Sequence, residues 1–172
     1  MTGAVRAGNW IATAGALIFV FVLFVSAYAE PDIRWLHFFQ SWMYLAAIIL
    51  IWRKNKWGYF VGIGAAAFWN YANVFVTTFL KNGLDETLIF MHTGHLARPD
   101  LFISVPAWLG NLFVICGCLL AYIGLSEKRW TDLIRLGVAT AGTTGFFALI
   151  MALCQPRYLA IFPRILHPHL HL

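Results

Sequence analysis

This 172-residue chain has little charge: Asp, Glu, Lys and Arg together make up 11% of it. Soluble domains carry about 25%, so so few charges exclude an ordinary water-facing surface. Cysteine is also scarce. Cys116, Cys118 and Cys154 form neither a disulfide framework nor a C-x-x-C pair, and they lie in or beside apolar runs, as inert buried thiols do. The formal charge of +5 comes from Lys and Arg scattered through short connections. With no basic arm or stripe, it suits anionic lipid headgroups rather than nucleic acid. Catalytic fingerprints are missing too. There is no H-E-x-x-H, no G-x-S-x-G elbow, no phosphate-binding loop and no dinucleotide fingerprint. Ser41 and Ser104 have no evident base, and the repeated histidine boxes of membrane oxygenases are absent. No enzyme class follows from the residues.

What is present is apolar: 61% of the chain, arranged in five runs. They cover Trp10 to Ala29, Trp35 to Trp52, Gly58 to Leu80, Ile103 to Leu125 and Leu136 to Leu153. A run of about twenty residues at 1.5 Å rise crosses roughly 30 Å of hydrocarbon. Lipid cannot satisfy open backbone groups, so the runs are read as helices in spite of their Val, Ile and Phe content. Barrel strands would need many short alternating segments. Ala27-Tyr28-Ala29 behind Arg6 resembles a signal-peptide cleavage site. Its apolar run is longer than a usual signal core, and the sequence predicts a retained first helix. The expected fold is an all-α integral membrane protein, one domain over residues 1–172. It is a five-helix transmembrane bundle with a short external interfacial helix near 84–97 and an apolar C-terminal arm over 155–172.

The connections carry the orientation signal. Arg6, Arg53, Lys54, Lys56, Lys128, Arg129 and Arg135 fall on one side. Arg34, Lys81, Arg98, Arg157 and Arg164 fall on the other, together with most of the acids. Counting Lys and Arg near helix ends places the N-terminus in the cytoplasm and the C-terminus outside, as in a bacterial inner membrane. Trp35, Trp42, Trp52, Trp57, Trp108 and Trp130 sit near segment ends, where interfacial anchors belong.

Inside the bundle the third segment is the most polar. Asn70, Asn73 and Thr77 follow an i, i+3, i+7 pattern and would share one helical face near the midplane. An unsatisfied amide there is costly, so the face is expected to point at Thr140 and Thr144 on the fifth segment, or at Asn111 or Tyr122 on the fourth. Two readings stand: hydrogen bonding that fixes packing, or a contact for a polar ligand, quinone, haem edge or solvated path. Gly58 and Gly62 form G-x-x-x-G, and Gly137, Ala141 and Gly145 offer a matching small face on the fifth segment.

The five-span topology gathers every histidine on one face: His37, then His92 and His95 in the longest connection, then His167, His169 and His171 in the tail. Asn82-Gly83 reads as a turn, after which Asp85 and Glu86 would open a helix running through Leu96 and ending before Arg98-Pro99. On that helix His92 and His95 stand at i, i+3, a spacing at which two rings can meet one ion. A metal or haem site from His92, His95 and either His37 or a tail histidine, with Glu86 or Asp100 as oxygen ligand, is chemically reasonable. Plain headgroup contact explains the same residues. Arginines near the interface, likewise, snorkel to lipid headgroups.

The apolar arm beyond the last span favours contact with a neighbour. The leading expectation is a structural or accessory subunit of a larger membrane complex, with lipids and other membrane subunits as partners. The alternatives are a small redox or metal-binding membrane protein using the histidines, and a carrier of a small uncharged or anionic ligand along the Asn70 face.

Overall fold

A computed structural model describes residues 2–165, and among them every regular element is helical. The helices are α1 (Gly3–Ala29), α2 (Arg34–Trp52), α3 (Trp57–Tyr71), α4 (Phe79–Thr93), α5 (Pro99–Phe102), α6 (Ser104–Ile123), α7 (Thr131–Cys154) and α8 (Ile161–Ile165). Four segments are long and apolar enough to cross a bilayer: Gly3–Ala29, Pro31–Trp52, Pro99–Ile123 and Thr131–Cys154. The bent pair Trp57–Val76 and Phe79–Thr93 makes a fifth if it is counted as one span. These lengths, and the large apolar side chains left facing outward, define a multi-span helical membrane protein.

Local chemistry sets the ends. The Thr2 side chain accepts a hydrogen bond from Val5 N at 3.3 Å, so α1 starts a full two turns ahead of its apolar run. At the other end of α2, Asn55 N donates to Leu50 O and Lys54 N to Ile51 O, the paired bonds of a Schellman motif. Lys54 occupies its left-handed position, with φ 57°. Asn55 Oδ1 then accepts from Trp57 N and opens α3.

Helices α1, α2, α3 and α6 close a ring in which each packs on the next, and α7 lies outside it against α3 and α2. The most extensive contact joins α1 to α6, and glycine makes it possible. A methyl group at Gly15 would sit 2.5 Å from Gly110 O, and one at Gly8 would sit 2.5 Å from Ala121 N. Gly117 lies so close to the Ala12 backbone that no Cβ fits. The expected Gly58/Gly62 pairing with Gly137 and Ala141 does not form. Gly58 packs on Ile51 and Ala47 of α2, and Gly62 on Val114 and Cys118 of α6. Gly137 and Gly145 have open space around them and Ala141 is exposed. The α3–α7 approach runs through Gly64 against Thr140 and Thr143 instead, because this face of α7, not the one bearing Gly137, turns toward the bundle.

The third span differs most from expectation. Instead of one helix to Leu80, α3 widens into a π segment over Ala72–Val76, breaks at Thr77, and restarts as α4 at an angle of 75°. Thr77 N donates to Ala72 O, the five-residue bond of a π turn, and Thr77 Oγ1 accepts from Phe79 N to start α4. Asn82-Gly83, read as a turn, lies inside α4. Gly83 fits there because it presses directly on Ser104 and Leu101, so a tertiary contact outweighs local turn preference. The helix ends at Thr93, where Gly94 takes φ 68°.

The C-terminal arm, expected to lie along the membrane or on a neighbour, folds back on its own chain as far as Ile165. Tyr71 OH donates to Ile165 O at 3.0 Å, Phe68 and Phe162 rings stand 5.9 Å apart, and Gln155 Nε2 donates to Asp32 O.

Candidate functional site

The ring of α1, α2, α3 and α6 encloses a column of polar side chains. It is built in levels. Next to the lysine-rich turn, Tyr59 OH of α3 donates to Asn9 Oδ1 of α1 at 3.0 Å, and both residues are 2% exposed. At the periphery of the same level, Trp52 Nε1 donates to Thr13 Oγ1 at 3.1 Å. In the middle, Tyr44 OH of α2 donates to Asn111 Oδ1 of α6 at 2.7 Å, with neither residue exposed at all. Phe19 stacks against Tyr44 with ring centroids 4.5 Å apart.

Beyond the Tyr44–Asn111 bond the pairing becomes incomplete: Ser41 Oγ donates to Phe38 O at 2.7 Å, but several buried atoms have no partner. Asn70 is 9% exposed, and neither its Oδ1 nor its Nδ2 meets a partner. The same holds for the buried atoms Trp69 Nε1, Ser104 Oγ, His37 Nδ1 and Asn111 Nδ2. Register brings several of these to one depth. Gly62 faces Ala47 on α2 and Val114 to Cys118 on α6; about two turns further along α3, Asn70 comes level with Gln40 and with the stretch from Pro106 to Gly110. Gln40 and Ser41 are themselves buried. The unpaired stretch of the column thus ends at the π segment and break of α3, a helix irregularity of a kind that recurs at functional sites.

The expected Asn70–Asn73–Thr77 stripe is divided by that irregularity. The wider π turn shifts the phase, so Asn70 stays buried while Asn73 and Thr77 become half-buried, and Thr77 is consumed as the cap of α4. None of the anticipated partners bonds to Asn70. Asn111 takes Tyr44, Thr140 accepts through its carbonyl from Thr143 Oγ1 at 3.0 Å, and Tyr122 OH donates to Asp132 Oδ2 at 3.1 Å. Thr144 is half-buried, whereas Thr143 faces α3.

Asp132 is a hub that the sequence reading missed. It is 2% exposed and accepts from Tyr122 OH, Arg129 N at 3.1 Å, Arg135 Nη1 at 2.9 Å and Lys56 Nζ at 3.3 Å. Lys56 also donates to Glu127 O. The cluster ties the α2–α3 turn to the ends of α6 and α7. Beside it opens a cleft of about 230 Å³ lined by Val5, Asn9, Lys54, Lys56, Tyr59, Leu125, Ser126 and Glu127. Its floor is the Asn9–Tyr59 pair, so the cleft is the mouth of the polar column.

The histidine site does not assemble in the described residues. His92 lies on α4, but His95 follows the left-handed Gly94, so the two no longer share a helical face; both are exposed. Glu86 accepts from Arg98 N at 2.8 Å, and Asp100 forms a forked pair with Arg98 at 3.0 and 2.6 Å. Both proposed oxygen ligands therefore already have partners. Among the described residues no three His, Cys, Asp or Glu side chains gather as a metal would need. His167, His169 and His171 lie outside the described residues.

These features define a class, a polytopic helical membrane protein with a polar interior. Compared with family models, curated proteins and solved structures, the chain has no match to any of them.

Proposed function

We propose that this protein is a carrier of a small polar solute, uncharged or anionic, which moves along the polar column between α1, α2, α3 and α6. One observation carries the reading. The Asn70 carboxamide is nine-tenths buried inside the bundle with both polar atoms unpartnered, immediately before the π segment and break of α3. Buried amides are hydrogen-bonded as a rule, and leaving one unpaired costs about 1–3 kcal/mol. A packing amide would have found a side-chain partner, as Asn9 and Asn111 do. Asn70 instead offers a donor and an acceptor to a solute or to water. Broken helices in transporters supply such groups at the bilayer midplane, and the 75° bend between α3 and α4 supplies a hinge.

In this reading α4 is an external, interfacial or re-entrant helix closing the histidine end. The N-terminus and the Arg53–Lys56 turn face the cytoplasm of a bacterial cell. The test is solute uptake into liposomes holding the purified protein, using urea, glycerol and labelled phosphate. Uptake of at least one should exceed that of protein-free liposomes, and Asn70→Leu should abolish the excess. Uptake at the protein-free level for all three solutes, or full activity of the Asn70→Leu protein, refutes the carrier.

A structural or accessory role in a larger complex retains one supporting observation. Gly137, Ala141 and Gly145 form a small-residue stripe on the exposed face of α7, and such stripes let a second helix approach closely. The arm packs on α3 as far as Ile165, which lends that role less weight. For a metal role, no three His, Cys, Asp or Glu side chains gather among the described residues.

A further inference from the structure

At the lysine end, the cleft is more specific than a polar mouth needs to be. Its lining carries two ammonium groups, Lys54 and Lys56, against a single carboxylate, Glu127. Lys56 is committed to Asp132 and to the Glu127 carbonyl. Lys54 has no ion pair among the described residues. Its place in the chain is unusual: it fills the left-handed position of the motif that ends α2, with φ 57°, where glycine is the usual and less strained residue. A non-glycine residue held in this backbone conformation, with its side chain lining a cleft, points to a role for that side chain. Below it, Asn9 is 2% exposed and gives its Oδ1 to Tyr59. The amide N–H groups of Asn9 are left as donors at the cleft floor. An ammonium at the rim, with an amide donor and the Ser126 hydroxyl in the lining, is a donor set suited to oxygen anions.

We propose that the cleft between the start of α1, the Arg53–Lys56 turn and the 124–127 loop binds a small oxyanion, a phosphate or carboxylate group, with Lys54 as its principal charge and Asn9 as its floor. This rests on the carrier reading insofar as the cleft is the mouth of the column, and it narrows the solute from polar to anionic. Lys56 takes a positioning part: held by Asp132, it keeps the turn, and with it Lys54, against the 124–127 loop. Glu127 opposes the anion and lowers its affinity.

Lys54→Gly is the informative variant, because glycine relieves the left-handed backbone while removing the charge. Binding of inorganic phosphate to the full chain in a neutral detergent, followed by calorimetry, should be saturable. It should weaken at least fivefold in Lys54→Gly with no loss of thermal stability, and tighten in Glu127→Gln. Asn70→Leu, which should stop flux, should leave phosphate binding unchanged. If phosphate does not bind saturably, or Lys54→Gly binds as the parent does, the oxyanion site is wrong whatever the flux result. If phosphate binds as described and no solute crosses, the site stands and the carrier reading falls. Repeating the titration in nanodiscs with and without phosphatidylglycerol identifies the source of the group. Competition by the lipid assigns the cleft to a headgroup; unchanged affinity assigns it to a free solute.

Discussion

The two halves of the bundle solve the same problem to different degrees. Toward the lysine end, polar side chains taken out of water are paired: Asn9 with Tyr59, Thr13 with Trp52, and Asp132 with four donors. Toward the histidine end, past Tyr44 and Asn111, Ser41 and Glu86 are paired, but the buried atoms of Asn70, Trp69, Ser104 and His37 have no partner. Burial and chemistry are alike in both halves, so burial alone does not decide the outcome. The difference follows the backbone. The lysine half is built from uninterrupted helices, whereas in the histidine half α3 widens, breaks and turns away. Asn70 stands two residues before the π segment, and Ser104 packs on Gly83 of α4 just after it, so both border the irregularity. One half is a frame; the other is where the proposed solute would bind.

Breaking the frame should have the largest effect. A side chain at Gly117 meets the Ala12 backbone, which has no freedom to yield. Gly117→Val should therefore cost about 3 kcal/mol, the upper part of the range for overpacking, read as a lowered midpoint in thermal unfolding followed by tryptophan fluorescence. A midpoint unchanged from the parent would show that α1 and α6 are not held by this seam. Next comes the Asn9–Tyr59 bond. Asn9→Leu leaves the buried Tyr59 hydroxyl without its acceptor and should cost about 0.6–1.7 kcal/mol, from the average to the largest value for interhelical bonds in membranes. The same assay reads it, and a gain in stability would contradict the account of this half.

How much of this could be read from the residues follows the strength of the physical constraint behind each signal. Helices and their apolar runs were legible because lipid permits a helical segment no alternative. Asn70 and Asn111 stood out for the same reason, since an amide in an apolar run is expensive. The α1–α6 seam was hidden. Gly8 lies ahead of the first apolar run, and Gly110 and Gly117 are seven apart, a spacing that looks like nothing until two helices are laid together. Gly58 and Gly62 were visible as a motif, but a motif does not name its partner. The break in α3 was hidden too. Asn82-Gly83 carries the stronger local turn signal, yet Gly83 serves the packing of α4 on Ser104, and the chain opens at Thr77 instead. Lys54 looked like one more basic residue of a turn, because a left-handed φ at a non-glycine residue leaves no mark in the sequence.

The contrast between the halves is sharpest at Asn70, where the same type of substitution should act with opposite sign. Asn70→Leu removes a carboxamide that has no partner in the chain and replaces it with an apolar side chain of similar size. Relieving an unsatisfied buried amide is worth about 1 kcal/mol, so the midpoint should rise while flux is lost. Stability gained at the expense of activity is the signature of a group kept for its ligand. A fall in the midpoint matching that of Asn9→Leu would mean that Asn70 is a packing residue and that the two halves do not differ in kind.

The smallest effect belongs outside both halves, on the open face of α7. Gly145 has no atom near the position of an added Cβ, so Gly145→Ala and Gly137→Ala should change the unfolding midpoint of the detergent-solubilised protein by less than about 0.5 kcal/mol, as surface substitutions do. The comparison with Gly117 is direct, since all three glycines lie in membrane-spanning helices and differ only in what stands opposite. If either α7 variant destabilises the protein as Gly117→Val does, then something covers that face in the purified particle, and its mass by light scattering should exceed that of one 19.4 kDa chain and its detergent. If both are silent and the particle contains one chain, the glycines of α7 face lipid alone, and the subunit role loses the observation that still supports it.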